Sequence, residues 1–265
     1  MLPDFRFSDI ERHEAKYIIP AHQVHQVRSF IKPFCQADAF CTGTPPSYLV
    51  TTLQLDNLMG DLWRAKERKS INRFKLRIRT YGEACDGPVF MEIKRKINGL
   101  ISKSRASLPE RVSDLREALS EERAWQFRNE RETRAYLDFL RLTHTIGARP
   151  TIFIRYRRES YIGLSEDYAR VTIDSELGYR PARGWRWPKS GSHWRSFDTT
   201  TGTNTPFSGY ILELKSGDSQ PLWMAELIQR FNLVRSGFCK YSTAMRLESV
   251  LQGWSYSDAS ENCTY

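Results

Sequence analysis

Arg73-Phe74-Lys75-Leu76-Arg77-Ile78-Arg79-Thr80-Tyr81 alternates strictly. Its odd positions are Arg, Lys, Arg, Arg and Tyr, and its even positions are Phe, Leu, Ile and Thr. A period of two marks a strand with two unlike faces. Here one face is cationic and the other mainly apolar. Val89-Phe90-Met91-Glu92-Ile93-Lys94-Arg95-Lys96 repeats the arrangement, with Glu92, Lys94 and Lys96 opposite Val89, Met91 and Ile93. Asn98-Gly99 follows, a two-residue hairpin signal because both central residues need positive φ. Pairing Ile97 with Leu100 sets Lys94 opposite Lys103 and Glu92 opposite Arg105 on one face. Lysines directly opposite each other repel. Such a face is either solvated or holds an anion.

Working outward, Ile211-Leu212-Glu213-Leu214-Lys215 puts Glu213 and Lys215 on one face. Arg170, Thr172 and Asp174 share a face, as do Arg12, Glu14 and Lys16. A polar face on one antiparallel strand is ordinarily the wet side of a sheet. Repetition on several strands, with Lys and Arg dominant and Glu sparse, suggests a strongly curved or closed sheet with a basic concave side. Its apolar outer side then needs helices. Candidates are Ala21 to Phe34, with Val24, Val27, Phe30 and Ile31 at helical spacing, and Pro221 to Leu233. Pro109 to Leu142 reads as one or two charged amphipathic helices.

Further strands are expected at 48–55, 151–161, 168–177 and 209–215, with a basic stretch at 62–72 and a final segment at 240–251. Nothing resembles a linker, so residues 1–251 read as a single α+β domain. Residues 178–208 read as a long basic loop carrying Trp185, Trp187 and Trp194, either functional or a mobile insertion. Residues 252–265 read as a disordered tail. The chain has 265 residues, 40 Lys+Arg against 31 Asp+Glu, and a net charge of +9. That balance points to an anionic partner. Five scattered cysteines without CxxC spacing suggest a reducing compartment and no disulfide framework. No apolar run is long enough to span a membrane, and Met1 to Arg12 is too polar for a signal peptide. A cytoplasmic protein is expected.

No phosphate-binding GxxxxGK[ST] loop, GxGxxG, GxSxG or HExxH is present, and the five His are scattered. Nucleophilic Ser/His and zinc chemistry are therefore disfavoured. Many cations with one or two carboxylates suit phosphoryl transfer, which is mostly positioning and electrostatic stabilisation. Arg grips phosphate with a two-pronged fork and Lys as a point charge. A Glu among them fits a Mg²⁺ or Mn²⁺ anchor completed by phosphate oxygens; otherwise it balances charge.

Arg12-x-Glu14-x-Lys16-Tyr17, Thr52-Leu53-Gln54-Leu55-Asp56-Asn57, Lys75-Leu76-Arg77-Ile78-Arg79-x-Tyr81 and Glu92-Ile93-Lys94 occur in that order. Tyr156-x-Arg158, Arg170-Val171-Thr172-Ile173-Asp174, Leu212-Glu213-Leu214-Lys215 and Phe238-Cys239-Lys240-Tyr241 follow. In this the chain resembles the VTC domain, the polyphosphate polymerase domain of the vacuolar transporter chaperone family. That family belongs to the CYTH-like, triphosphate tunnel metalloenzyme superfamily. The resemblance implies an eight-stranded antiparallel β-tunnel, a closed barrel with a basic interior covered by helices. It implies ATP as phosphoryl donor, polyphosphate as product, and Mn²⁺ or Mg²⁺. Carried onto this chain, Lys16, Arg77, Arg79 and Arg158 would be catalytic, and Lys94, Arg170 and Lys240 would bind phosphate. Glu213 would hold the metal. Lys75, Lys103, Arg105, Lys215 and Arg12 share the basic faces and join the phosphate-binding set, and Glu14 is a second metal candidate.

Two positions depart from the family's eukaryotic polymerases. Gly237 stands where they carry an additional lysine, and Cys239 replaces the Ser of the Phe-Ser-Lys-Phe-like element. Hydrolytic superfamily members typically begin with Glu-x-Glu-x-Lys, whereas this chain has Arg12 in the first place. That exchange weakens a second metal site and the activation of water. A terminal phosphate oxygen is already ionised near neutral pH and needs no general base. Transfer to phosphate is thus favoured over triphosphatase activity. The residues leave open a non-catalytic module for polyphosphate or inositol polyphosphates. Nucleic acid is disfavoured, because exposed aromatics do not interleave with the cations. A membrane-protein partner and the oligomeric state stay open.

Overall fold

The computed structural model describes residues 13–120, 123–165, 168–198 and 209–251. Arg12 and the expected tail at 252–265 lie outside them. In chain order the strands are β1 (His13–Ile19), β2 (Cys35–Ala37), β3 (Tyr48–Asp56), β4 (Arg73–Tyr81), β5 (Phe90–Ile97), β6 (Leu100–Ser107), β7 (Arg149–Gly163), β8 (Ala169–Pro181), β9 (Arg195–Ser196) and β10 (Tyr210–Ser216). The helices are α1 (Ala21–Ile31), α2 (Asp61–Glu67), α3 (Glu130–Thr145), α4 (Leu222–Arg230) and α5 (Lys240–Leu251). The hydrogen-bonded order is β1-β10-β8-β7-β3-β4-β5-β6, with β2 on β7 and β9 on β8. This is an antiparallel α+β fold.

The expected closed barrel is not formed. β1 and β6 end the ladder, and no pairing joins them among the described residues. The free edge of β1 is instead occupied by the chain at Arg235, which bridges Tyr17. Ser236 N–H also donates to the Lys16 carbonyl at 2.7 Å. β6 carries Lys103 and Arg105, charges that discourage further pairing at an edge.

The chain divides into two compact units. The first comprises Met1–Tyr48, Arg157–Leu177 and Phe207–Phe238, and the second Leu49–Tyr156, Gly178–Pro206 and Cys239–Tyr265. In the first, Val24, Val27 and Ile31 of α1 fall at helical spacing and pack with Met224 and Leu227 of α4. They cover Val171, Ile173, Leu212 and Leu214. In the second, Leu76, Ile78, Met91 and Ile93 are the even or odd apolar positions of the alternating strands. They pack with Ala135, Tyr136, Phe139 and Leu140 of α3. Asn129 caps α3 by accepting from Glu132 N–H at 2.9 Å. That cap contributes about 1 kcal/mol, whereas each large buried side chain contributes roughly 1.5–3 kcal/mol. Packing therefore sets the position of α3.

The register Ile97↔Leu100, Lys94↔Lys103 and Glu92↔Arg105 is as the Asn98-Gly99 turn requires. Among the described residues of the span 109–128, the expected helix is not formed; Glu117–Leu119 makes a short 3₁₀ turn. Leu115 N–H donates to the Trp185 carbonyl at 2.7 Å, and Asp114 bridges Arg186. These cross-links hold the segment around Asp114 and Leu115 against Trp185 and Arg186, and Val112 and Leu115 are buried. The described part of the Trp-rich segment is held to the second unit by pairing and packing. β9 returns to Gly178 and Tyr179 of β8, and Trp185, Trp187 and Trp194 pack on the core. Among the described residues no helix is long and apolar enough to cross a membrane, and Cys35, Cys41, Cys85 and Cys239 are free thiols.

Candidate functional site

The second unit builds a basic face from four strands. Registers set Gln54 beside Arg77, Arg77 beside Glu92, and Glu92 beside Arg105. The neighbouring rows are Thr52–Arg79–Phe90 and Lys75–Lys94–Lys103. Glu92 is completely buried. Its carboxylate accepts from Arg77 Nε at 2.7 Å and lies 3.7 Å from Arg79 Nε, 3.5 Å from Arg105 Nε and against Lys103 Nζ. Burial would raise its pKa, but Arg77, Arg79 and Lys103 outweigh that and hold it far below the usual carboxylate range. Burial and the crowding by Arg77 and Arg79 push the Lys103 ammonium down to about 7, against the pull of Glu92.

Around this cluster, Arg105 lies 3.5 Å from the Phe90 ring centroid, and Arg79 reaches Tyr156 Oη at 3.5 Å. Lys240 lies 4.5 Å over the Tyr156 ring. Lys75 Nζ is 2.9 Å from Cys239 Sγ. Burial would raise the Cys239 thiol, but Lys75 and hydrogen bonds from Ser242 pull it down to about 6.

The first unit has its own charged face. Lys16–Glu213–Thr172 and Glu14–Lys215–Arg170 are adjacent rows across β1, β10 and β8. Glu213 Oε1 is 2.7 Å from Lys215 Nζ, and Oε2 is 3.7 Å from Lys16 Nζ, which also reaches Glu14 at 2.9 Å. Burial would raise the Glu213 pKa, yet Lys215, Lys16 and Arg158 hold it well below the ordinary range. Arg158 makes a two-pronged fork with buried Asp174 at 2.7 and 2.8 Å. Arg170 donates to Ser160 Oγ at 3.1 Å and to Asp38. These two arginines are fixed by carboxylates of their own unit rather than presented bare.

A model of the VTC domain family matches residues 11–248. The chain belongs to the VTC domain family. No curated protein matches it in sequence. Among solved structures, the PH1819 protein of Pyrococcus horikoshii OT3 is similar at 10% identity over 91% of this chain and 98% of that one, with a TM-score of 0.43. A "putative adenylate cyclase" of Vibrio parahaemolyticus is similar at 11% identity over 91% of this chain and 97% of its own, with a TM-score of 0.44.

In this VTC domain, Lys16, Glu14, Arg158, Arg170, Glu213 and Lys215 gather in the first unit. Arg77, Arg79, Lys75, Lys94, Lys103, Arg105 and Lys240 gather in the second. Sequence reasoning placed Glu92 on the basic face without a role; its burial, which alternation alone does not reveal, marks it as the centre of its cluster. Thr52 and Thr172 were given no role by the sequence because they carry no charge. Both are buried on these faces, and neither Oγ1 has a hydrogen-bond partner among the described residues. Buried polar atoms are ordinarily satisfied, which makes these two hydroxyls candidates for a ligand contact.

Glu213 and Glu14 could hold a divalent cation only with phosphate oxygens completing its shell. No group of three or more His, Cys, Asp or Glu exists among the described residues. Glu213 and Glu14, linked through Lys16, supply two hard carboxylates. Mg²⁺ is commonly held by one or two carboxylates with phosphate oxygens completing the shell.

Proposed function

We propose that this VTC domain is a polyphosphate polymerase that transfers the γ-phosphoryl of ATP to the terminal phosphate of a growing polyphosphate, with Mg²⁺ or Mn²⁺ at Glu213. The observation that carries this reading is the surplus of cations over carboxylate at Glu92, where Arg77, Arg79, Lys103 and Arg105 share one buried acid. Arg77 and Arg79 stabilise charge spreading over the transferring phosphoryl oxygens. Lys75, Lys94, Lys103, Arg105 and Lys240 neutralise further phosphates. Lys16, Lys215, Arg158 and Arg170 bind phosphate beside Glu213, and Glu14 supports the metal. When bound, the divalent cation screens negative charge between phosphate oxygens. An oxygen of the acceptor's terminal phosphate attacks the γ-phosphorus while the bond to the β–γ bridging oxygen breaks, leaving ADP. That oxygen is already an anion, so the step needs no base. The single carboxylate among four cations at Glu92 favours this acceptor over water.

Glu14 beside Glu213 keeps metal-dependent triphosphate hydrolysis as a second reading. Incubating the purified chain with γ-labelled ATP and Mn²⁺ separates them. The expected result is a ladder of labelled polymer. Free phosphate alone would assign a hydrolase, and no turnover would assign a binding module. Arg77→Ala should lower kcat by about 10²–10³, the effect of losing one transition-state donor. Glu213→Gln should abolish metal-dependent turnover while leaving the far-UV spectrum unchanged.

A further inference from the structure

The β5–β6 hairpin ends in Ile97-Asn98-Gly99-Leu100-Ile101. Ile97, Leu100 and Ile101 are 43%, 56% and 60% exposed. Ile71, on the connection entering β4, is 68% exposed. Asn98 N–H donates to Asn72 Oδ1 at 3.0 Å, which ties that connection to the hairpin tip. Four aliphatic side chains therefore meet water at one end of the second unit. Arg68 and Lys69, both exposed, precede Ile71. Arg73 pairs with Lys96, and Lys96 with Ile101, in the strand register. No acidic residue occurs from 68 to 82 or from 93 to 109.

We infer that this tip docks on the surface of an anionic lipid bilayer, the aliphatic side chains entering the headgroup–acyl boundary and the cations meeting lipid phosphates. An apolar tip with a basic collar matches both components of interfacial binding. A second copy of the chain would bring collar against collar, which repels. A nucleic acid would use the cations but leave the four aliphatics in water. The inference is independent of the reaction proposed above, because none of the four aliphatics, Arg68 or Lys69 belongs to the phosphate-binding set.

The full chain is mixed with vesicles of phosphatidylcholine, with or without phosphatidylglycerol, and separated by flotation. The chain should float with the mixed vesicles and not with phosphatidylcholine alone. Leu100→Ser with Ile101→Ser should weaken partition by about tenfold or more, and Arg68→Ser or Lys69→Ser by about fivefold each. Melting temperature and turnover in solution should stay at the unsubstituted values. Failure of the unsubstituted chain to float would overturn the inference, as would equal flotation of the tip variants. A tip variant that converts a solution dimer to a monomer would reassign the tip as a self-interface.

Discussion

Glu92 is a fully buried acid whose four neighbours are all cations, and its behaviour follows from that imbalance. Its folded pKa lies far below the unfolded value near 4.5. The stabilisation it provides is complete above that unfolded value and is lost as pH falls toward the folded one. Glu92→Gln should therefore destabilise the fold at neutral pH by up to about 3 kcal/mol, because buried Arg79 and the more exposed Arg77, Lys103 and Arg105 lose their shared counter-charge. Melting curves between roughly pH 2 and 7 should lose part of their acid limb in this variant. Added tripolyphosphate should recover some of the lost melting temperature by replacing the missing negative charge. Cys239 offers a second test. With its thiol near 6 and Lys75 at 2.9 Å, it is mainly thiolate at neutral pH. Iodoacetamide should label it faster than free cysteine below pH 7, and Lys75→Met should slow that labelling about tenfold or more, since one pKa unit is a factor of ten. Equal labelling in both proteins would remove Lys75 as the cause.

At the scale of elements, Asp56 closes the end of β3 and starts α2. Its carboxylate accepts from the Leu62 and Trp63 amides at 2.9 Å each and from Tyr241 Oη at 2.6 Å. One residue thereby fixes the N-terminus of α2 and the first turn of α5. Asp56→Ala strands a buried phenol and two amides, and should cost about 3 kcal/mol in urea unfolding. Tyr241→Phe removes only one partner and should cost less. The same scale shows where local patterning fails. The β5–β6 hairpin was readable because Asn98-Gly99 needs positive φ at both positions, and Asn98 and Gly99 have φ of 48° and 89°. The sequence from Pro109 onward carries helix-compatible apolar spacing, yet Asp114 and Leu115 pair by backbone with Arg186 and Trp185, some seventy residues away, and no helix forms around them. A window of twenty residues contains no trace of that partner.

For the molecule as a whole, a net charge of +9 and the cation-rich face around Glu92 make binding of a short polyphosphate salt-sensitive. Its affinity should fall at least about tenfold between roughly 0.05 and 0.5 M salt. Burial and neighbouring arginines push the Lys103 ammonium down toward about 7, so affinity should also fall as pH rises through that range. Lys103→Met should flatten that pH dependence; an unchanged profile would place the titration elsewhere. The alternating strands, and with them most of the candidate site residues, were legible from period and charge. Closure of the barrel was not, because alternation says which face a residue takes and not which strand lies beside the last one. Here the chain at Arg235–Ser236 takes the edge of β1.

The amino-acid order alone determined the two-faced strands, the turn at Asn98-Gly99 and the cationic character of the partner-facing sides, since all three follow from neighbouring residues. Only the tertiary structure decided that Glu92 is buried among cations, that Asp174 and Asp38 claim Arg158 and Arg170, and that the ladder stays open. Those outcomes depend on groups far apart in the chain, whose meeting is set by packing rather than by local pattern.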